Sequence, residues 1–387
     1  MANVPEATNF MFLLDPSVTF LNHGSFGAMP ASVRDVQRAF QDQMEREPVD
    51  FLARKLPDLL AVARASAAGL IGARPDDVVF VPNATTGINA VVDAVPLEAG
   101  DEILTTTHRY DAVGHTLQRR ALQRGASVVE AAFPYTGITT DRIVDAITSA
   151  MSPRTRLLVI DAITSPTALV LPLEPIIAAA QHRGIPVLVD GAHAPGHIPV
   201  DVSTLGADWW VGNLHKWVCA PKGSAVLWAR HDHHATLWSP ITSHGWRGGL
   251  HEEFDWPGTH DPSARLASAA AIDWWRENGG ETLGRNHTTL ARDVRARFAE
   301  ASGLVLPPPP APELQAGMHT MRLPGVAGAQ AEAFCNALFA EHRVEVPVFR
   351  WDDQAWLRYS AFSLYNTPEQ YTRLGHAVRD LLPRFQT

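Results

Sequence analysis

The chain has 387 residues, 46% hydrophobic and 19% charged, ordinary proportions for a folded globular protein with one large core and room for a smaller domain. Its formal charge of −9, with no run of lysine or arginine, argues against a nucleic-acid partner, which would need a basic face. Two cysteines, Cys219 and Cys335, are too few for a disulfide framework, no Cys/His pattern has zinc spacing, and no apolar stretch approaches the roughly 20 residues of a membrane span. The opening MANVPEATNFMFLLDP lacks the basic segment of a signal peptide, so a reducing, cytoplasmic location is expected.

In chain order, short β-branched runs alternate with amphipathic ones. DDVVFVP (76–82), DEILTTT (101–107), ASVVEAAF (126–133), TRLLVIDAIT (155–164), IPVLVDGA (185–192), ADWWVGN (207–213) and GSAVLWA (223–229) each predict a strand. GHTLQRRALQRG and PLEPIIAAAQHRG predict helices between them. This alternation implies an α/β fold with a large, doubly wound, mostly parallel sheet, whose strands read as nearly continuous apolar runs because both faces are covered. LPPPPAP (306–312) predicts an extended joint. After it, MHTMRLPG, a helix AQAEAFCNALFAEH, VEVPVF and WLRYSAF predict a smaller α+β domain that ends in a helix. The expected division is an N-terminal arm over 1–30, a large domain over 31–265 and a small C-terminal domain over 266–387.

Ligands of such sheets sit beyond the carboxyl ends of the strands. Three predicted ends carry chemistry. VFVP stops at Asn83-Ala84-Thr85-Thr86-Gly87 before a helical run, which suits either an anion cradle or a plain helix cap. PVLVD ends at Asp190, which alone reads equally as a turn aspartate. DWWVGN leads into Leu214-His215-Lys216-Trp217, and a lysine at a buried strand end is costly unless it is paired or deprotonated. Lysine is also scarce here: Lys55, Lys216 and Lys222 are the chain's only ones among 32 positive charges. An ammonium can lose its proton and become a nucleophile where a guanidinium cannot. Cradle, carboxylate and lysine together are the parts that hold pyridoxal 5'-phosphate by its phosphate, ring nitrogen and aldehyde. Lys222, in PKG before a strand, reads as a solvated charge or as support for the loop behind the cofactor.

The motifs LNHGSFG (21–27), PNATTGIN (82–89), THRYDAV (107–113), TSPTALVLP (164–172), VDGAHAPG (189–196), GNLHKW (212–217), WPGTHDPSA (256–264) and LRYSAFSLYNT (357–367) run through nearly the whole chain. On them it resembles the class V aminotransferase group of fold-type I pyridoxal phosphate enzymes. Within that group it resembles the isopenicillin N epimerase-like branch, with its ergothioneine-pathway carbon–sulfur lyases and lincosamide-pathway enzymes. The resemblance implies Lys216 as the Schiff-base lysine, Asp190 as partner of the ring nitrogen and His193 as partner of the phenolic oxygen. It implies that Ala84, Thr85 and Thr86 hold the phosphate with Asn213 and His215, and that Thr259 reaches it from the neighbouring subunit of a homodimer. Tyr110 or His108 would stack on the ring, Tyr110 being preferred. Ser165 would touch the ring oxygen, Arg358 would grip the substrate α-carboxylate, and Asn22 and His23 would line the entrance.

Four reactions are open to such a site: β-elimination, epimerisation, a decarboxylating oxidative deamination and aminotransfer. A carbon–sulfur β-lyase acting on an S-substituted cysteine in specialised metabolism is the preferred expectation. Epimerisation needs a second acid or base opposite Lys216, for which Tyr110, His23 and His108 are the candidates. A cysteine desulfurase would need a reactive cysteine before Arg358, and residues 336–357 hold none. The branch often has a histidine where this chain has Ala162, which hints at a reshaped pocket. Tryptophans 209, 210, 217, 238, 246 and 256 are expected near the active-site region, as core packing more often than as walls for a bulky substrate, and the segment 243–249 at the subunit contact. The histidines of ARHDHHATLW are expected not to converge on a metal, so no metal is expected. A non-catalytic cofactor-binding sensor is the alternative from outside enzymology, disfavoured by the intact Lys216, Asp190 and Arg358.

Overall fold

The computed structural model describes residues 11–386, so residues 1–10 of the expected arm and of the segment tested for a signal peptide lie outside the described residues. A two-residue strand, β1 (Thr19–Phe20), opens the described fold. The seven predicted strands follow: β2 (Val78–Val81), β3 (Glu102–Thr106), β4 (Ser127–Ala131), β5 (Thr155–Asp161), β6 (Val187–Asp190), β7 (Trp209–Asn213) and β8 (Ala225–Ala229). They form one sheet in the order β2-β8-β7-β6-β5-β3-β4. Pairing is parallel from β7 to β4, while β8 runs antiparallel to both β7 and β2.

The inner strands are buried along their length, Arg156 of β5 excepted, because helices cover both faces. Each fully buried Val, Ile or Leu there contributes about 1.5–3 kcal/mol of transfer free energy. The chain lays β3 and β4 toward one edge, then returns through β5 to build toward the other. The switch therefore falls between β3 and β5, where ligands of open α/β sheets bind.

The small domain holds β9 (Met318–Ala327), β11 (Val348–Trp351) and β12 (Gln354–Ser360), antiparallel in the order β11-β12-β9, while β10 (Val344–Glu345) pairs with β1. Helices Glu281–Ser302, Ala331–His342 and Pro368–Phe385 complete it. Its core runs from Ala291 to Leu382 and includes Leu21 of the N-terminal segment.

Two expectations about organisation need correction. The core does not divide at 266: helix Ser268–Glu277 packs on helix Leu56–Leu70, and Ile272, Trp274, Trp275 and Leu283 belong to the large core. Helix Glu281–Ser302 spans the division, since Leu283 lies in one core and Val294 in the other. The proline run is consequently not a joint between domains. It connects two elements of the small one and is pinned to helix Glu281–Ser302 by Arg292 donating to Pro312 O and Arg295 donating to Pro307 O.

Candidate active site

The cavity beyond the ends of β5, β6 and β7 has a volume of about 670 Å³, within the usual range for small-molecule sites. One wall is the N-terminus of helix Ala84–Ala94. Asn83 takes an extended conformation and its Oδ1 accepts the Thr86 N–H at 2.9 Å, a side-chain cap on an orphan donor. Asn213, at the end of β7, accepts the Ala84 N–H at 2.9 Å. The N–H groups of Ala84 and Thr86 are therefore spent within the protein. Among the described residues, the Thr85 N–H and hydroxyl have no protein partner. Asn213 thus buttresses the cradle. The helix sits close on the sheet because residue 87 is glycine: a Cβ there would lie 2.8 Å from Val211 Cγ1.

Lys216 lies in the connection between β7 and β8, tied at its base by Leu214 N–H to Ser224 O and within by Cys219 N–H to Lys216 O. Its Nζ is 3.1 Å from His193 Nε2. Burial, then the nearby Arg358 guanidinium, push the ammonium down to about 7 against the opposing pull of Asp190. At neutral pH a large share of Lys216 is free amine. His193 is held well below the ordinary imidazole range by burial and by the charges of Lys216 and Arg358, so it is neutral. Among the described residues its Nδ1 has no partner.

Asp190 ends β6 and accepts the Ala192 N–H at 2.9 Å. Beside it, Asp161 ends β5 in register with it and lines the same cavity. Asp161 was not among the residues singled out from the sequence, although TRLLVID stops on an acid in the same way as PVLVD does.

Arg358, on the central strand of the small sheet, is buried. It donates from Nη1 to the Ser165 carbonyl and hydroxyl and from Nη2 to Ser25 Oγ at 3.3 Å. Among the described residues its Nε has no partner. Ser165 is thus engaged with Arg358 at the cavity wall. Tyr110 caps helix Asp111–Arg124, is 47% exposed and lines the cavity. His215 also lines it; its Nδ1 reaches Ser224 O at 3.2 Å, and burial, then Lys216, push it down to about 4.

Other predicted residues lie elsewhere. His108 is absent from the cavity wall: it is buried, stacked on Phe133, and both ring nitrogens are engaged, with Thr167 Oγ1 at 2.7 Å and Phe133 O at 2.8 Å. His23 is buried between Tyr365 Oη at 2.7 Å and Lys216 O at 3.1 Å. Asn22 donates to Glu345 Oε1 at 3.0 Å. From the N-terminal segment it is Ser25 and Phe26 that line the cavity instead. Thr259 is exposed and outside the cavity of its own chain. Ala162 packs into the large core, because alternation along the strand end turns Asp161 and Ile163 to the cavity and residue 162 away. None of the tryptophans lines the cavity; Trp210 and Trp217 are core, and Trp238 and Trp246 are exposed.

Lys222 is not merely a solvated charge. It lines the cavity and donates to Gly27 O at 3.0 Å, holding the N-terminal segment against the lysine connection. The contact is tight: Gly27 has φ +69°, and a Cβ there would lie 2.2 Å from His215 O. The HDHH segment forms a 3-10 turn (His231–Thr236) in which, against expectation, His231 and His234 do converge with Asp77, all ligand atoms lying within 4.8 Å. Arg74 already forks both Asp77 oxygens at 2.9 Å and His234 Nε2 is bonded to Ala229 O at 3.1 Å, so these groups are satisfied without an ion.

A free amine, a strand-end carboxylate and a helix-terminus cradle around one cavity of a doubly wound sheet define a fold-type I pyridoxal phosphate enzyme. The orphaned His193 Nδ1 and the unspent donors of Thr85 fit that cofactor. The chain belongs to the aminotransferase class-V family, whose model matches residues 38–374, and pyridoxal 5'-phosphate is its cofactor. It is 35% identical over 386 residues to isopenicillin N epimerase of Amycolatopsis lactamdurans, covering 95% of this chain and 96% of that one. It is 30% identical over 403 residues to L-cysteine desulfhydrase of Arabidopsis thaliana, covering 94% and 88%. Among solved structures, the cystine C–S lyase C-DES in complex with cysteine persulfide superposes with a TM-score of 0.79 at 21% identity, over 94% of this chain and 98% of that one. Cysteine desulfurase from Thermococcus onnurineus NA1 gives 0.80 at 19% identity, over 99% of each.

Proposed function

We propose that the enzyme is a carbon–sulfur β-lyase that cleaves the Cβ–S bond of an S-substituted cysteine, with Lys216 as its base. The observation that carries this reading is the absence of two of the three candidates for a second acid or base from the cavity wall. Lys216 offers an amine near neutrality, while His23 and His108, two of the three candidates for a second base, have both ring nitrogens engaged elsewhere. Bound pyridoxal phosphate supplies an electron sink conjugated to the substrate Cα. Arg358 holds the α-carboxylate with its guanidinium fork. Asp190 keeps the ring nitrogen protonated, and Thr85 with His215 and Lys222 holds the phosphate. Lys216 takes the Cα proton, the C–S bond breaks, and the thiolate leaves with a proton returned from Lys216. Water then converts the released three-carbon fragment to pyruvate and ammonia.

Cys219 is buried, burial raises its thiol far above the ordinary range, and Cys335 donates to Val346 O on a helix of the small domain. Neither faces the cavity, which supports simple elimination over persulfide transfer. Incubation with cysteine S-conjugates is expected to release thiol, pyruvate and ammonia in equal amounts. Deuterium uptake at Cα from heavy water without loss of sulfur would replace the lyase by an epimerase. That second reading is favoured by the relatives named isopenicillin N epimerase and would require Tyr110 as the opposing acid.

A further inference from the structure

Asp161 and Asp190 occupy register-paired positions at the ends of neighbouring parallel strands. Such residues lie on the same face about 4.8 Å apart. Both line the cavity, and they are 4% and 5% exposed. Among the described residues no lysine or arginine forms an ion pair with either carboxyl. Of the groups that face Asp161, Lys216 is shifted toward the free amine, and Arg109 donates instead to Glu130 Oε1 at 2.9 Å. His193 is neutral, and Arg358 is turned to Ser165 and Ser25. Two carboxylates buried side by side do not both ionise. Asp190 has the Ala192 N–H to stabilise its anion, whereas among the described residues no side-chain or backbone group of another residue donates to Asp161. Burial and the Asp190 charge act in the same direction on Asp161, holding its proton on.

We propose that Asp161 is a neutral carboxylic acid in the working enzyme, a positioning residue that donates its proton to Asp190. It thereby fixes the pair's single negative charge on the Asp190 oxygen offered to the cofactor's ring nitrogen. The proposal rests on the reading of this cavity as the cofactor site. One charge on the pair matches the one positive charge of a protonated ring, and a second would have no partner.

The test begins with the apoprotein. Asp161→Asn keeps a donor of the same shape but cannot ionise. A folded state that retains a proton which the unfolded chain has released loses stability as pH rises above about 4. The melting temperature of D161N is therefore expected to gain on wild type by roughly 3 °C between pH 5 and pH 8. A difference that stays flat over that range would overturn the proposal. In wild type alone, infrared spectroscopy is expected to show a carboxylic-acid C=O band at pH 7 that disappears in D161N. A band already absent from the wild type would equally overturn it. With cofactor added, D161N is expected to keep its pyridoxal phosphate affinity within about threefold and D190N to lose it by tenfold or more. A loss in D161N as large as in D190N would mean that Asp161 carries the charge itself. If neither variant affects cofactor binding, it is the reading of the pocket that fails, while the apoprotein measurements still judge the protonation of Asp161.

Discussion

Lys216 and Lys222 are six residues apart and do different work. Lys216 is pushed to about 7, so the amine proposed to attack the cofactor's aldehyde is present in quantity only above that pH. The rate at which apoprotein develops a visible band after pyridoxal phosphate is added should rise with pH and level off above about 7. In Arg358→Met the midpoint should move upward, since that guanidinium is the main charge depressing the lysine. Stopped-flow absorbance measures both, and an unchanged midpoint would remove Arg358 from this role. Stability carries the same signature. The folded lysine binds fewer protons than the unfolded chain between about 7 and 10.5, so apoprotein stability gains a rising component across that window. Denaturant titration should find this component missing in Lys216→Met. For substrate, Arg358→Lys replaces a fork by a point charge. It should raise KM for amino acids by roughly tenfold to a hundredfold, with the cofactor spectrum unaltered. Among the residues, those that end apolar runs were readable in advance because such an end is a local pattern. Asp161 shares the pattern, but one carboxylate suffices for a ring nitrogen, and nothing local in the sequence signals a second beside Asp190. His108 and His23 were misread because sequence shows that an imidazole lies close in the chain to Tyr110 or Ser25, but not which way the ring turns.

At the level of elements, the seven strands of the large sheet were legible because each is a closed stretch of β-branched and aliphatic residues between turn signals. The boundary of the small domain was not, because helix Glu281–Ser302 carries an apolar face for each core and no break in composition marks the change. The segment around Gly27 shows how a short element can set the site. Its left-handed φ of +69° and the 2.2 Å approach to His215 O leave no room for a side chain. Gly27→Ala should therefore cost more than the 1–2 kcal/mol of the backbone conformation alone. It should also weaken cofactor binding, since relief of the clash must move either the segment or the lysine connection. Calorimetric melting with and without pyridoxal phosphate separates the two effects, and an alanine variant as stable as wild type would contradict the packing described here. Asn83→Ala, by comparison, should cost about 1 kcal/mol as a lost cap.

For the whole molecule, we propose a homodimer. Thr259, Trp238 and Trp246 are exposed on one chain, Trp246 within the largely exposed segment 243–249, and these surfaces are the ones proposed to meet a second copy. Sedimentation equilibrium should give about twice the 42.2 kDa of the chain; a monomer active at the same concentration would refute shared sites. That the chain joins two domains around one cavity was legible only through its resemblance to a family. The meeting of Arg358 with Ser165 and Ser25, and of Tyr365 with His23, spans hundreds of residues and has no local trace. The antiparallel pairing of β7 with β8 has a consequence for how such a protein diversifies. Lys216, the lysine proposed to react, sits in the connection between β7 and β8, which is held at both feet by paired strands, so insertions there would displace it. The segments after β3 and β8 are free to lengthen or change chemistry while the lysine stays in place. A scaffold divided in this way can acquire new substrates by altering its rim, which accounts physically for one architecture hosting both an epimerase and a desulfhydrase among the relatives of this chain.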